Sequence, residues 1–285
     1  MNWGETIGKA TGYLDGKGVP DARVAAELLA ARLLGTGRGF LAGAFSKDVS
    51  EAHLAAMRRG MKRLADGEPV QYVLGEWDFR TLTLACDRRA LIPRPETEGL
   101  VERALRFLRS SCAATPFVVD VGTGTGAIIL SIAAELDKPA ALLGTDVSED
   151  AIALARENAA RCGLGERVRF AVADGLDDFD EPQCMDVIVS NPPYVTSGEW
   201  AALESRVRDY EPRIALDGGA QGLDFYDRYL GDAVNLLKPG GAVFFEIGES
   251  QGPALERLMG AYGFQDIHIE RDLAGLDRYA SAVLP

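Results

Sequence analysis

Histidine and cysteine, which supply many catalytic triads and zinc sites, are scarce in this 285-residue chain. The two histidines, His53 and His268, lie near no GxSxG or HExxH pattern, so a histidine-dependent triad and a zinc protease are not supported. The four cysteines are widely separated and form no CxxC pair. They predict buried thiols rather than a disulfide framework or a zinc site, and no metal is expected. These cysteines are Cys86, Cys112, Cys162 and Cys184.

Long apolar runs are missing as well. No stretch approaches the roughly 20 residues that a helix needs to cross a bilayer. The first residues also lack a charged segment followed by an apolar one, so no secretory signal is predicted. We therefore expect a cytoplasmic protein without a membrane partner.

Basic residues are outnumbered by acidic ones. The chain has 30 Lys and Arg against 43 Asp and Glu, which gives a net charge of -13. Such a balance works against binding to a phosphate backbone. No direct contact with nucleic acid is therefore expected.

Apolar residues make up 47% of the chain, and their spacing divides it into three parts. Residues 1–68 follow helical spacing and predict a small all-helical domain, which carries no visible chemistry and is interpreted as a docking module. Residues 69–92 alternate in part and predict a β-hairpin linker. Residues 93–285 alternate helix-like and strand-like runs, and their mostly apolar strands predict an α/β fold with a doubly wound parallel sheet. The expected strands are residues 117–121, 140–145, 168–172, 185–190 and 241–247, with 265–270 and 279–284 as a terminal hairpin.

A glycine-rich turn follows the first of these strands and leads into an apolar helix. Its glycines allow a tight turn and a close approach of a ligand to the backbone. Asp146 ends the next strand 20 residues beyond the turn, the distance at which an acid accepts hydrogen bonds from ribose hydroxyls. Turn and acid together predict a nucleoside ligand. The turn consists of Gly122, Thr123, Gly124, Thr125 and Gly126.

Two further aspartates bear on which nucleoside is bound. Asp120 precedes the glycines, where it could face an ammonium group of the ligand, and Asp174 ends the third strand, where it could reach an adenine. Both positions favour S-adenosylmethionine, although the glycine spacing also fits a dinucleotide and Asp174 could be only a turn residue. A P-loop does not fit, because no Gly-Lys-Ser/Thr follows.

The tetrapeptide Asn191, Pro192, Pro193 and Tyr194 lies where the strand of residues 185–190 gives way to a loop, a position at which ligands collect in open α/β sheets. A planar NH2 group could donate both hydrogens to the Asn191 side-chain carbonyl and the Pro192 backbone carbonyl, with Tyr194 stacked on its face. The competing interpretation is that the two prolines only end a strand.

These segments make residues 93–285 similar to class I S-adenosylmethionine-dependent methyltransferases, whose sheet is Rossmann-like and seven-stranded. Further segments resemble the HemK/PrmC family, and the resemblance covers residues 65–285. The matching segments are residues 69–76 (PVQYVLGE), 91–98 (LIPRPETE), 211–216 (EPRIAL) and 246–248 (EIG).

The resemblance implies methylation of the glutamine amide in the Gly-Gly-Gln motif of peptide chain release factors, with S-adenosylmethionine as methyl donor. It implies catalytic and substrate-binding roles for the tetrapeptide at residues 191–194. Asn191 and Pro192 would accept from the amide hydrogens, Pro193 would fix the loop and Tyr194 would pack on the amide plane. Cofactor contacts are expected at Asp120, the glycine turn, Asp146, Asp174, Gly175 and Asn191.

Three alternatives share parts of this pattern. A nucleic-acid adenine methyltransferase would need only the tetrapeptide, and the acidic charge argues against it. A ribosomal-protein glutamine methyltransferase resembles the chain too, but it typically lacks the string at residues 93–98. A nucleoside-binding module that recruits a partner through the helical domain would need no catalysis.

The chain departs from the family pattern at two positions. Gln221 stands where the family usually has aspartate, and Gly175 follows Asp174 where some members have an aromatic residue. Arg94, Glu211 and Arg213 could serve either the site or local ion pairs. The aromatic residues Phe225, Tyr226 and Tyr229 are interpreted as helix packing because of their i, i+1 and i+4 spacing.

Overall fold

The computed structural model describes residues 1–285, which form two compact units. The first comprises Met1–Glu76 and Glu204–Tyr210, and the second comprises Trp77–Leu203 and Glu211–Pro285. The helices are α1 (Trp3–Asp15), α2 (Ala22–Leu34), α3 (Glu51–Ala65), α4 (Val70–Leu74), α5 (Pro95–Ser110), α6 (Ala127–Glu135), α7 (Glu149–Arg161), α8 (Ser205–Arg208), α9 (Asp224–Leu236) and α10 (Gly252–Ala261). The strands are β1 (Glu76–Phe79), β2 (Leu82–Ala85), β3 (Phe117–Val121), β4 (Ala141–Asp146), β5 (Arg169–Val172), β6 (Met185–Ser190), β7 (Leu237–Glu246), β8 (Gln265–Arg271) and β9 (Asp277–Val283). Short 3-10 helices lie at Arg38–Ala44, Trp200–Ala202 and Arg213–Ala215.

The first unit is helical, and its helix starts follow local capping chemistry. Asn2 caps α1 by accepting the Glu5 N–H at 2.8 Å, and Ser50 caps α3 by accepting the His53 N–H at 3.2 Å. Asp21, which precedes α2, makes no side-chain cap. Trp3, Ile7, Leu14, Leu29, Leu41 and Met57 are among the buried residues of this unit's core.

The segment expected as a linker is only partly a hairpin. Strands β1 and β2 form a two-stranded sheet within residues 76–85, as the alternation indicates. Residues 70–74, however, form helix α4 instead of extended chain. The expectation was wrong there because five mostly apolar residues carry too little periodicity to separate a helical turn from a strand.

The second unit is built on a seven-stranded sheet in the order β5-β4-β3-β6-β7-β9-β8. Strands β3 to β7 run parallel to one another, while β9 runs antiparallel to both of its neighbours, β7 and β8. The doubly wound parallel sheet and the terminal hairpin predicted from the sequence are therefore confirmed. No helix of the chain is both long and apolar enough to cross a membrane.

Neighbouring residues on each strand serve different cores, because successive side chains of a strand point to opposite faces. Val118 and Phe244 pack with α5 and α6 on one face, whereas Val119 and Phe245 pack with α9 and α10 on the other. Both faces of the sheet are thus covered, which explains why its strands are apolar throughout.

Strand order places a topological switch beside β3. The chain adds β4 and then β5 on one side of β3, and it returns to add β6 on the other side. The loops after β3 and β6 therefore leave a crevice between them at the carboxyl ends of the strands, where open α/β sheets bind ligands.

The cysteines are all free, and only one matches the expected buried thiol fully. Cys86 is buried, and burial raises the pKa of its thiol to about 12. Cys162 and Cys184 are half-buried. Cys112 is exposed, so the expectation was wrong for that residue, which follows the end of α5 in a loop.

Candidate active site

A cavity of about 430 Å³ opens at the carboxyl ends of the parallel strands. Its volume lies within the range of small-molecule and cofactor sites. Nine of the residues expected to contact cofactor or substrate line it. These are Gly122, Thr123, Gly124 and Thr125 after β3, Asp146 at the end of β4, Asp174 and Gly175 after β5, and Asn191 and Pro193 after β6.

The glycine turn exposes backbone to this cavity. Gly122 and Gly124 have φ angles of 73° and 55°, and a Cβ on Gly122 would meet no other heavy atom within 4 Å. The turn can therefore accept a ligand close to its backbone. Gly126 does not line the cavity; a Cβ there would come within 3.0 Å of Leu130 and 3.4 Å of Ala155. Its small size serves the packing of the following helix.

Asp146 ties the glycine turn to the end of β4. Its Oδ2 accepts the Gly124 N–H and its Oδ1 accepts the Ser148 N–H, each at 2.9 Å. Burial raises the pKa of this carboxyl. A carboxylate has about four lone-pair sites, so the two backbone bonds leave room for hydroxyl donors from a ligand.

Asp120 lies beneath the turn and does not line the cavity. It is fully buried, and its Oδ2 accepts the Thr123 hydroxyl at 2.6 Å while Oδ1 has no hydrogen-bond partner. Burial raises the pKa of Asp120 to about 7. The carboxyl thus supports Thr123 directly, and its contact with a ligand ammonium group stays a prediction.

Residues after β5 and residues of α9 together form one wall of the cavity. Arg228 donates to the Asp174 carboxylate and to the Asp174 backbone carbonyl, both at 2.7 Å, and to Asp177 at 2.6 Å. Gly175 has a φ of 68°, and a Cβ there would approach Tyr229 to 3.0 Å. A larger residue at position 175 would therefore crowd the α9 side chains.

Two aromatic residues of α9 also line the cavity, which the sequence interpretation missed. Phe225 and Tyr229 face it, whereas Tyr226 packs in the core as expected. Val147 and Ile214 add apolar surface to the wall and are 48% and 58% exposed. Helical spacing alone did not separate a cavity-lining face from a packed one.

The tetrapeptide after β6 presents two acceptors. Asn191 lines the cavity, and no donor of the chain reaches its Oδ1 or the Pro192 backbone carbonyl. Pro193 lines the cavity as well. Pro192 is buried, Tyr194 is half-buried, and neither of them lines the cavity. Both carbonyl oxygens therefore keep their hydrogen-bonding capacity.

A polar cluster behind the tetrapeptide was not singled out from the sequence, although two of its members lie within the family-like strings. Thr97 accepts the Asn191 Nδ2–H at 3.2 Å and donates to Glu246 Oε2 at 2.6 Å. Glu246 also accepts the Tyr194 hydroxyl at 3.4 Å. Gln251 donates to the Tyr194 carbonyl at 3.2 Å. Each partner of the loop comes from a different element of the sheet domain.

Arg94 and Glu211 form an ion pair rather than separate features. The Arg94 guanidinium lies 2.5 Å from Glu211 Oε1, and the other oxygen of Glu211 accepts the Ile92 N–H at 3.0 Å. Arg94 lines the cavity, whereas the Glu211 side chain is 1% exposed. Arg213 pairs with Asp217 at 2.8 Å on the surface.

Comparison with known proteins agrees with this fold. Residues 117–257 match the family model of a methyltransferase domain, and residues 5–75 match the model of the PrmC N-terminal domain. A crystal structure of a methyltransferase from Pyrococcus furiosus superposes with a TM-score of 0.50 at 19% identity. The superposition covers 71% of this chain and 88% of that one, a likeness in fold alone. Sheet, cavity and family model together define a Rossmann-like methyltransferase.

Curated relatives narrow the class. The release factor glutamine methyltransferase of Geobacter sulfurreducens is 41% identical over 267 residues, which cover 94% of this chain and 91% of the relative. The protein of the same name from Chlorobaculum tepidum is 38% identical, with 94% and 92% of the two chains covered. The chain belongs to the release factor glutamine methyltransferase family.

Proposed function

We propose that this protein methylates the side-chain amide nitrogen of the glutamine in the Gly-Gly-Gln motif of peptide chain release factors, with S-adenosylmethionine as methyl donor. Family membership supports the activity and the partner. The observation that carries the assignment to a site is the unoccupied acceptor Asn191 Oδ1, which belongs to a residue that lines the same cavity as the glycine turn. The Pro192 carbonyl, on the next residue, also has no donor from the chain. Because release factors act on ribosomes, the reaction would take place in the cytoplasm.

The cavity residues fit the proposed methyl donor. Gly122 leaves open space where a ligand can approach its backbone, and Asp146 keeps lone pairs for the ribose hydroxyls. Phe225 and Tyr229 offer the aromatic surface that Gly175 cannot supply next to an adenine. S-adenosylmethionine supplies an electrophilic sulfonium methyl group, so that the new N–C bond forms as the C–S bond breaks.

The residues of the loop act on the amide. An amide nitrogen is a weak nucleophile because its lone pair is delocalised into the carbonyl, so the protein must position it. Correct alignment of two reactants can contribute on the order of 7 to 11 kcal/mol. Asn191 and Pro192 accept the two amide hydrogens, and these bonds strengthen as positive charge develops on the nitrogen. The extra proton then leaves to water, so no strong base is required.

Methyl transfer from labelled S-adenosylmethionine tests this function. Purified release factor, DNA and RNA are offered separately to the wild-type protein. We expect label on the release factor only. Label on nucleic acid would favour an adenine methyltransferase, and cofactor binding without any transfer would favour a recruitment module. Label on a ribosomal protein, offered as a fourth substrate, would favour the related glutamine methyltransferase.

We also propose that the helical unit docks the release factor, because one glutamine side chain offers too little surface for selection among proteins. Residues 1–68 were expected to form this module from the sequence. The first compact unit extends to Glu76 and includes Glu204–Tyr210. A docking role for the helical unit would explain how the same amide chemistry is restricted to one protein partner.

A further inference from the structure

The Asn191 side chain has two possible orientations, and only one suits the proposed function. If its carbonyl oxygen faces the substrate, it accepts an amide hydrogen. If its NH2 group faces the substrate, two donors oppose each other and no bond forms. Some feature of the protein must therefore select the orientation, and the neighbours of Asn191 Nδ2 are the groups that can do so.

The donor and acceptor roles of the groups behind the loop select the orientation of the Asn191 amide. An ionised carboxylate can only accept, so the single hydroxyl proton of Thr97 goes to Glu246 Oε2, with 2.6 Å between the two oxygens. The Thr97 oxygen is then left as an acceptor toward Asn191. It receives the Nδ2–H at 3.2 Å, which leaves Oδ1 without a partner in the chain.

We propose that Thr97 and Glu246 are positioning residues that hold the Asn191 amide with its carbonyl toward the substrate. This inference rests on the proposed glutamine methylation and extends it to Thr97, which lines the cavity beside Asn191, and to Glu246, which does not line it. Glu246 is 1% exposed and Thr97 is 5% exposed, so water does not compete for their hydrogen bonds. The pair is anchored on two elements, because Thr97 lies in the first turn of α5 and Glu246 ends β7.

Protonation of Glu246 would reverse the polarity. A neutral carboxyl can donate to Thr97, whose own proton is then free to point at Asn191. The amide would turn over and present its NH2 group to the substrate. Burial raises the pKa of Glu246 to about 7, so kcat should rise with pH through this value and level off above it.

Several charged or titratable groups face Glu246 and bear on its titration. Arg278 favours the carboxylate and Glu96 disfavours it, while the Thr97 and Tyr194 hydroxyls favour it by hydrogen bonding. The Tyr226 hydroxyl donates to the Glu246 backbone carbonyl at 2.8 Å. Around this carboxyl the groups are Arg278 and Tyr279 of β9, Glu96 and Thr97 of α5, Tyr194 after β6 and Tyr226 of α9.

Substitution of Thr97 separates polarity from packing. Thr97→Val keeps the shape and removes the hydroxyl, while Thr97→Ser keeps the hydroxyl. With release factor as substrate, we expect Thr97→Val to lower kcat at least about 10-fold because the acceptor is misoriented. Thr97→Ser should retain kcat within about 3-fold of wild type. Cofactor affinity, measured by calorimetry on the same samples, should stay unchanged and verifies folding.

A Thr97→Val protein that binds cofactor and keeps wild-type kcat would overturn the proposal. So would a Thr97→Ser protein that loses as much as Thr97→Val, because packing would then explain both. The wild-type protein separates a failure of this proposal from a failure of the proposed function. If wild type does not methylate release factor, the proposed function is wrong. If only the variants lose activity, the result concerns Thr97 and Glu246 alone.

The pH profile of kcat provides a second readout, which a purely structural role would not move. Wild type should lose activity as pH falls through about 7, the pKa that burial gives to Glu246. Glu246→Gln does not titrate and should lack this limb. Asp120→Asn should keep the limb, although the pKa of Asp120 is also raised to about 7. A limb that survives in Glu246→Gln, or disappears in Asp120→Asn, would contradict the proposal.

Discussion

Asp146 holds the glycine turn and keeps capacity for a ligand at the same time. Its two oxygens accept the Gly124 and Ser148 N–H groups, yet lone pairs remain. Replacing it by asparagine keeps one oxygen acceptor but removes the charge. Hydrogen bonds to charged groups contribute roughly 1.5 to 3 kcal/mol, so Asp146→Asn should weaken S-adenosylmethionine binding about 10- to 100-fold.

Calorimetric titration of S-adenosylmethionine checks this prediction, with Asp137→Asn as the matched control. Asp137 is an exposed acid in the loop before β4 and does not line the cavity. The control should bind like wild type. Equal affinities for Asp146→Asn and wild type would remove Asp146 from the cofactor site.

Asp120 predicts a pH dependence of stability. Its pKa is about 7 in the folded protein against 3.8 as the ordinary value, so the folded state binds a proton that the unfolded chain releases between these values. The free energy of unfolding therefore falls as pH rises from about 4 to about 7. Asp120→Asn cannot titrate and should lose this contribution to the slope.

Urea unfolding of both proteins at pH 5 and pH 8 measures the effect. Wild type should lose more stability than the variant between the two values, because other raised carboxyls contribute equally to both. The same difference in the two proteins would mean that Asp120 does not carry the proton in the folded state.

At the scale of elements, the segment of residues 217–223 packs against the loop of residues 191–194. A Cβ on Gly218 would lie 2.5 Å from the Pro193 carbonyl oxygen, and a Cβ on Gly222 would lie 2.3 Å from that of Tyr194. Both distances involve backbone, which cannot move aside as a flexible side chain can. The two glycines thus fix the loop that carries the acceptors. Gln221, which departs from the family pattern, lies between them on the exposed surface.

Gly218→Ala should therefore displace the loop and lower kcat by about 10-fold or more, since small misplacements at a reacting centre are costly. Cofactor affinity should change less. Gly165→Ala is the matched control, because a Cβ there meets nothing within 4 Å. Kinetics with release factor checks the prediction, and a Gly218→Ala protein as active as the control would show that the contact is not needed.

The elements differ in how well the sequence predicts them. The start of helix α7 (Glu149–Arg161) follows from local signals, because Ser148 supplies an N-terminal cap and the apolar spacing after it is regular. The cavity-facing role of α9 was not predictable in the same way. Phe225 and Tyr229 have the spacing of packed residues, and only the neighbouring loop after β5 determines that they line a cavity.

The residues of the site also differ in how well the sequence predicts them. Loops that follow parallel strands meet at one edge of the sheet, so Asp146, Asn191 and the glycine turn could be brought together from their strand ends. The Thr97 and Glu246 pair could not, since its partners are 149 residues apart and only the folded backbone joins them. Likewise, Arg94 could have paired with nearby acids, but it pairs with Glu211, 117 residues away.

Charge is unevenly divided over the whole molecule. Residues 1–76 contain 10 basic and 9 acidic residues, whereas the remaining chain has 20 and 34. The nearly neutral helical unit also exposes a large aromatic residue, because Phe40 is 78% exposed. Exposed aromatic residues are frequent anchors of protein interfaces.

Phe40→Ala therefore tests docking by the helical unit. We expect KM for release factor to rise about 10-fold, the effect of losing one interface anchor, with kcat unchanged. KM for a short glutamine-containing peptide should not change. Leu273→Ala, at a fully exposed apolar residue between β8 and β9, serves as the control. A rise in KM for the peptide as well would show that Phe40 acts on the site and not on docking.

The carbonyl that Asn191 is proposed to present to a glutamine amide is tested most directly by one measurement. Wild type and Asn191→Ala are given release factor and saturating labelled S-adenosylmethionine, and the modified residue is located by mass spectrometry. Wild type should label the glutamine side chain, and Asn191→Ala should do so at least about 100-fold more slowly with cofactor affinity largely retained. Equal rates, or label on any other residue, would contradict the account.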